Sequence, residues 1–250
     1  METQAHQKKN AAPSSHLRSA EPASPVAATK PDRKQAIVLA AERLFAQRGY
    51  HAVSIRQIAD EAGVPLALVS YYYGQKHELF HAIFERWSHT IQERMAALRA
   101  VEQLPHDARK LHRIVEAFIQ PVLKLRASSE GEYYALLITV GLSMQQNEEV
   151  SPVMQNFFDP MARAFIEVLH ETLRVDAPHI QHATVAWCYQ FALGAFLHHI
   201  SDVRVKRLSR EANTPNDPAA APLLVEFIAH GIRGVVGAIP APRKTTRRQR

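Results

Sequence analysis

Between residues 32 and 240 apolar side chains recur at helical spacing, and alternation at a period of two is sustained nowhere. Ile37, Ala41, Leu44 and Phe45 share one face of a first helix, predicted from Asp32 or Arg33 to Arg48 and closed by Gly49. Ser54-x-x-Gln57 has the form of a capping box and opens a short second helix ending at Gly63. A third starts near Pro65, which suits a first turn, and stops before Gly74. A long amphipathic helix is expected from Lys76 to about Ala100. Further helices are expected over 105–126, 131–147, 152–174, 178–204 and 222–238, separated by Pro- and Ser-rich breaks. Pro121 predicts a kink or an earlier break within one of them. The predicted fold is all-α, with about nine helices and an N-terminal three-helix unit preceding a larger helical body.

Ser54 to Tyr72 has the pattern of a helix-turn-helix. Ala59 lies where the two short helices cross, and Gly63 sits in the turn, where a left-handed conformation favours glycine. Ile55, Ile58, Ala62, Val64, Val69 and Tyr72 supply the locking apolar positions. Leu66, Ala67, Ser70 and Tyr71 are left on the outer face of the second short helix, the element that would enter a major groove. By spacing alone, an ordinary helical corner within a core is equally compatible.

Charge sharpens this picture. The 250 residues hold 30 Lys plus Arg and 24 Asp plus Glu, a net of +6. Residues 1–34 carry +3 and residues 241–250 carry +5, so the chain between them is at −2. A protein that coats DNA by global positive charge is disfavoured; a local contact surface is not. Residues 1–31 and 241–250 are poor in large apolar side chains and are expected to be a disordered arm and a basic disordered tail. The lone cysteine, Cys188, excludes an intrachain disulfide and a zinc site needing two thiolates, and fits a reducing cytoplasm. No run reaches the roughly 18 apolar residues of a membrane span, and no signal-like apolar core opens the chain. No membrane partner is expected. Glycine patterns for phosphate loops, dinucleotide sites or nucleophile elbows are absent, so neither catalysis nor a cofactor is expected.

The stretches AAERLFAQRGYHAVSIRQIADEAGV at 40–64 and VSYYYGQKHELFHAIF at 69–84 resemble the DNA-binding domain of the TetR (tetracycline-repressor) family of bacterial regulators. The resemblance is specific over Arg33 to Trp87; beyond it only helix number and length agree. It implies a cytoplasmic homodimeric transcription regulator, usually a repressor, that leaves its operator when a small molecule binds. The partners implied are palindromic or near-palindromic double-stranded DNA, an effector and a second copy of the chain. The expected domains are 32–76 for DNA binding and 77–240 for effector binding and dimerisation. Ser54, Arg56, Tyr71 and Lys76 are placed for phosphate contacts, with Pro65, Leu66, Ala67, Ser70 and Tyr72 completing the DNA-facing set. Family members often carry polar residues at the start of the recognition helix; here it reads Pro65-Leu66-Ala67-Leu68. Contacts from Leu66 and Ala67 to thymine methyls, supplemented by DNA shape, are the expected basis of specificity.

His77-Glu78-Leu79-Phe80-His81 spells the helical zinc-protease motif H-E-x-x-H, with both histidines on one helix face. The protease reading is the alternative in another class, together with a helical scaffold that no longer binds DNA. Against the protease, Leu79, Phe80, Ile83 and Phe84 pack this helix onto the DNA-binding unit, and only Glu102 and His106 offer themselves as a third ligand. The pairs His198-His199 and His179/His182, with His170, suggest metal sensing weakly, and no metal site is expected. An effector pocket is expected from Trp87, Phe118, Tyr134, Met144, Phe157, Phe158, Met161 and Phe165, with Gln120, Thr139, Ser143 and Gln190 as polar orienters. The Phe and Met content points to an apolar or aromatic effector. A dimer interface is expected from Trp187, Phe191, Gly194 and Ala195 of one helix and Leu224, Phe227, Ile228, Gly231, Ile232 and Val235 of another.

Overall fold

The computed structural model describes residues 32–144 and 146–238; the arm at 1–31 and the tail at 241–250 lie outside the described residues. Local chemistry sets the first three helices. In α1 (Arg33–Arg48) the Asp32 side chain accepts from the Lys34 amide, 3.1 Å away, while Ile37, Ala41, Leu44 and Phe45 face inward. At the start of α2 (Ile55–Ala62) the expected capping box is complete: Ser54 Oγ accepts from the Gln57 amide, and Gln57 Oε1 accepts from the Ser54 amide at 2.8 Å. Gly63 ends α2 in the left-handed conformation, φ 64° and ψ 36°. Pro65 is the N-cap of α3 (Leu66–Tyr73) rather than its first helical residue. Gly74 closes α3 with φ 65°, and a side chain there would collide with the Glu78 carboxylate.

Beyond this unit the elements differ from expectation where distant contacts decide. The helix expected from Lys76 to about Ala100 is two: α4 (Lys76–Arg86) and α5 (Ser88–Glu102), broken at Trp87 with φ −98° and ψ 7°. The break has a tertiary cause. The Trp87 indole Nε1 donates to buried Glu42 of α1 at 3.0 Å, and its ring stacks on Tyr134 at 5.1 Å between centroids. These anchors turn the chain where its local sequence would have stayed helical.

The rest is α6 (Lys110–Arg126), α7 (Glu132–Ser143), α8 (Ser151–Asp176), α9 (His182–Ser201), α10 (Val205–Leu208) and α11 (Ala221–Ala238). Eleven α-helices, and no strand, are thus present among the described residues instead of about nine: the break at Trp87 and the short α10 account for the difference. α6 begins at Lys110, later than expected, because Asp107 accepts from the Arg109 amide and binds Arg113 through both oxygens, holding a loop. Pro121 causes no break: α6 runs through it while Phe118, Ile119, Val122 and Leu123 stay buried. α5 packs on α6 and α8, α8 on α9, and α11 on α6 and α9, around one apolar core shared with α1.

Pro218–Ala238 is long and apolar enough to cross a membrane by length and composition, which counting consecutive apolar residues had not shown. Yet Val225, Ile228, Ala229 and Ile232 are buried within the fold, and Glu226 is bonded to His112 of α6 at 2.9 Å. One face of α11 is thus packed into the fold, and the opposite face, with Leu223 and Phe227, is exposed.

Candidate nucleic-acid interface and effector cavity

α3 is held from behind and bare in front. Val69 is fully buried, and the Tyr73 hydroxyl donates to the Lys34 carbonyl of α1 at 2.9 Å, so Tyr73 is a structural tie. On the outer side Pro65, Ala67 and Ser70 are exposed, Leu66 is 42% exposed and Tyr71 80%, its ring edge-on to Tyr72 at 5.2 Å. Ser54 and Arg56, at the start of α2, are exposed as well. Lys76 is placed differently from the others: its ammonium lies 4.3 Å from the Tyr50 ring centroid and is half-buried. That burial lowers its pKa, with Glu149 acting in the opposite sense.

Three side-chain bonds tie the helix-turn-helix unit to α7 and the segment after it. The Tyr50 hydroxyl donates to Glu149 at 2.5 Å, the Asn147 amide meets His51 Nε2 at 3.1 Å, and Gln47 donates to the Tyr133 hydroxyl at 3.4 Å. A fourth tie is Glu42, whose Oε2 accepts from both Trp87 and Arg86. Burial raises the Glu42 pKa, while the indole and guanidinium donors oppose the shift.

Behind α7 lies a cavity of about 620 Å³ between α5, α7, α8 and α9. It brings together Thr139, Ser143, Phe158, Met161 and Gln190 of the expected pocket. The other seven residues are elsewhere. Trp87 and Tyr134 stack on one another at the α4–α5 break, and Phe157 packs on His81 and Phe84. Phe118 and Phe165 are core, Gln120 is half-buried on α6, and Met144 lines a shallow depression beside His51. Sequence reasoning missed Arg94 of α5, which reaches the cavity and is 3% exposed. Its signal was positional: Arg94 falls between Ile91 and Leu98 on the apolar stripe of α5, where a solvated charge has no place.

α9 and α11 present an apolar outer face. Trp187 (62% exposed) stacks on Phe191, Phe227 (70%) and Leu223 are exposed on α11, and Gly194 and Gly231 are exposed with open space above them. A groove of about 180 Å³ runs between the two helices, lined by Phe191, Ala195, Phe227, Gly231 and Val235 among others. Leu224 is half-buried, and Ile228 and Ile232, expected on this face, are only 4% exposed and belong chiefly to the core: α11 turns them toward its neighbours in the same chain.

Two of the H-E-x-x-H residues, Glu78 and His81, are engaged locally. Glu78 Oε2 accepts from the Gln75 amide at 2.7 Å, capping α4, and the His81 ring packs on Phe157. Among the described residues His77 and His81 join no cluster of three possible metal ligands. The clusters that do form are His112–Glu226–His230 and Glu167–His170–Glu171.

An exposed helix-turn-helix on an all-helical body defines the class: a helix-turn-helix protein. The sequence model described as bacterial regulatory proteins, tetR family, matches residues 37–83, and the tetracyclin repressor-like C-terminal domain matches 116–231. The chain belongs to the TetR family. It is 31% identical over 87 residues to the HTH-type transcriptional activator FasR of Mycolicibacterium smegmatis, covering 35% of this chain and 39% of FasR. It is also 31% identical over 87 residues to the HTH-type transcriptional regulator HbdR of an Aromatoleum strain, covering 35% and 37%. The chain thus spans about two fifths of the length of these curated relatives. Among solved structures, the fatty acid degradation regulator FadR of Bacillus halodurans superposes with a TM-score of 0.57 at 16% identity, covering 82% of this chain and 98% of FadR. That likeness shows the fold.

Proposed function

We propose that the protein is a ligand-responsive, DNA-binding regulator of transcription, a dimeric repressor that a small effector releases from a palindromic or near-palindromic operator. The observation that carries this reading is the bare outer face of α3 on a helix-turn-helix that a side-chain bond, Gln47 to Tyr133, ties to α7, one wall of a cavity. Residues 32–76 serve as the DNA-reading unit and 77–240 as the effector and dimer unit, in keeping with the two family matches. Such a protein works in the bacterial cytoplasm and is not an enzyme.

The α9–α11 face is the natural seat of a second copy. Exposed Trp187, Phe191 and Phe227 beside glycines offer a self-complementary apolar patch, as an isologous interface requires. Two-fold pairing presents two copies of α3 to successive major grooves and so compensates for a recognition helix with few hydrogen-bonding groups. In the cavity, an effector with apolar bulk presses on α7; the Tyr50–Glu149 and Glu42–Trp87 ties pass the displacement to α1 and α4, and α4 tilts. The effector acts only as far as it binds the DNA-incompetent state more tightly.

A gel shift with the promoter region beside the protein's own gene tests the reading. Retardation that is lost in the Arg56→Ala/Tyr71→Ala double variant is expected. Failure to bind any duplex even at low salt would leave only a helical scaffold. A promoter–reporter fusion gives the sign, since the relative FasR bears the name of an activator.

A further inference from the structure

Arg94 is the one arginine in the buried class among the described residues. Its guanidinium lies over the Phe118 ring, 5.0 Å from the centroid, and its Nε has no hydrogen-bond partner. The ionisable groups beside Arg94 are two phenols, Tyr189 and Tyr134, both uncharged at neutral pH, and among the described residues no carboxylate lies within salt-bridge distance of it. Burial draws its pKa down to about 10, so it remains charged at neutral pH. The two charged residues elsewhere on the cavity wall, Asp159 and Arg163, are paired with each other at 3.3 Å. The cavity therefore carries one uncompensated positive charge. Thr139, on the α7 wall, has a buried hydroxyl that is likewise without a partner.

A buried charge with no counter-ion is among the least favourable placements in a fold, and apolar replacements of similar volume are often better tolerated. The surrounding wall is apolar: Ile138, Leu142, Phe158, Met161 and Phe196 face the same space. A volume of about 620 Å³ is that of a small-molecule site.

We propose that this cavity binds an organic anion, with a carboxylate in the fork of Arg94, a hydrogen bond from Thr139, and an apolar body against Phe158 and Met161. The proposal rests on the reading of the cavity as the effector site and names the effector's chemical class. It also says why an arginine serves here: the planar guanidinium matches a carboxylate in two parallel hydrogen bonds, which a lysine cannot reproduce.

The test uses the full chain without DNA. Thermal shift and calorimetry are run with benzoate, phenylacetate and octanoate, and with the primary amide of each as a neutral partner of equal shape. At least one acid should bind about tenfold or more tightly than its amide, the margin expected of a charge-assisted pair. Arg94→Met should erase that preference and, free of ligand, melt at a temperature equal to or above that of the parent chain, because it removes an unpaired buried charge. A merely structural Arg94 would instead lower the melting temperature on substitution. Arg94→Lys should keep part of the preference and guards against misfolding of the Met variant. Equal binding of acid and amide, no binding by any of the three acids at millimolar concentration, or an unchanged preference in Arg94→Met each overturns the proposal. Phenylphosphonate in a parallel arm separates a carboxylate site, which prefers benzoate, from a phosphate-type site, which would overturn the carboxylate assignment. Release of operator DNA is measured separately: acids that bind without releasing DNA leave the anion site standing and refute the effector role.

Discussion

The helix-turn-helix and the α5–α9 body depart from ordinary burial in opposite directions. α3 holds Leu66 and Tyr71 out in solvent, whereas the body draws the charge of Arg94 inward. Taken alone, each placement forgoes stability, and each turns favourable only against a partner of matching chemistry. On the proposed reading, the partner of α3 has methyl groups, base edges and phosphates, and that of the cavity a negative head and an apolar body. Stability is spread unevenly to allow this, with the continuous core beneath both regions carrying what neither site contributes.

The largest effect should come from the body even though the readout is DNA. Trp187→Glu places a charge in the α9–α11 face, and monomers should then replace dimers in sedimentation. Operator affinity should fall by about a hundredfold or more, because the second half-site no longer binds as an intramolecular event. A monomer that keeps full affinity would show that α3 reads DNA unaided.

Substitutions on α2 and α3 should separate the regions. Arg56→Ala should weaken DNA binding by about tenfold and lower the salt slope by about one unit, as for the loss of one phosphate contact. Binding to the cavity, followed by calorimetry, should not change. A smaller effect is expected at the joint: Glu42→Ala strands the Trp87 indole and the Arg86 guanidinium, costing about 1–3 kcal/mol and lowering the melting temperature by about 3–10 °C. The same variant should blunt any effect of cavity ligands on DNA affinity. The smallest shift belongs to Leu66→Ala, about 1 kcal/mol of preference for thymine at one operator position, read by comparing thymine with uracil there. Strict dependence on guanine at that position would refute a methyl contact.

What was legible in the sequence divides along the same line. The Ser54 cap, the Gly63 turn and the ends of α1 to α3 depend on residues a few positions apart, so the sequence pattern announces them. The break at Trp87 depends on Glu42 and Tyr134, each some 45 residues away, and no local pattern holds that information. The cavity is a product of four helices, and abundance of Phe and Met does not say which of them line it. Phe118 and Phe165 fill the core, while Thr139, Ser143 and Gln190 reach the space. Arg94 lies on the apolar stripe of α5, but its burial depends on the packing of α7, α8 and α9 around it, which no local pattern states. Ile228 and Ile232 fall in the expected dimer interface because α11 is apolar nearly all round, so its pattern does not tell the outer side from the core side.

The central claim is that α3 reads DNA as one half of a symmetric pair. Selection of the full chain on a random duplex library, followed by sequencing of the bound pool, tests it most directly. The account predicts enrichment of an inverted repeat whose half-sites lie about one helical turn, or a multiple of one, apart and carry thymine where Leu66 and Ala67 contact the groove. A pool with no enriched sequence, or with a single unrepeated site, would contradict it.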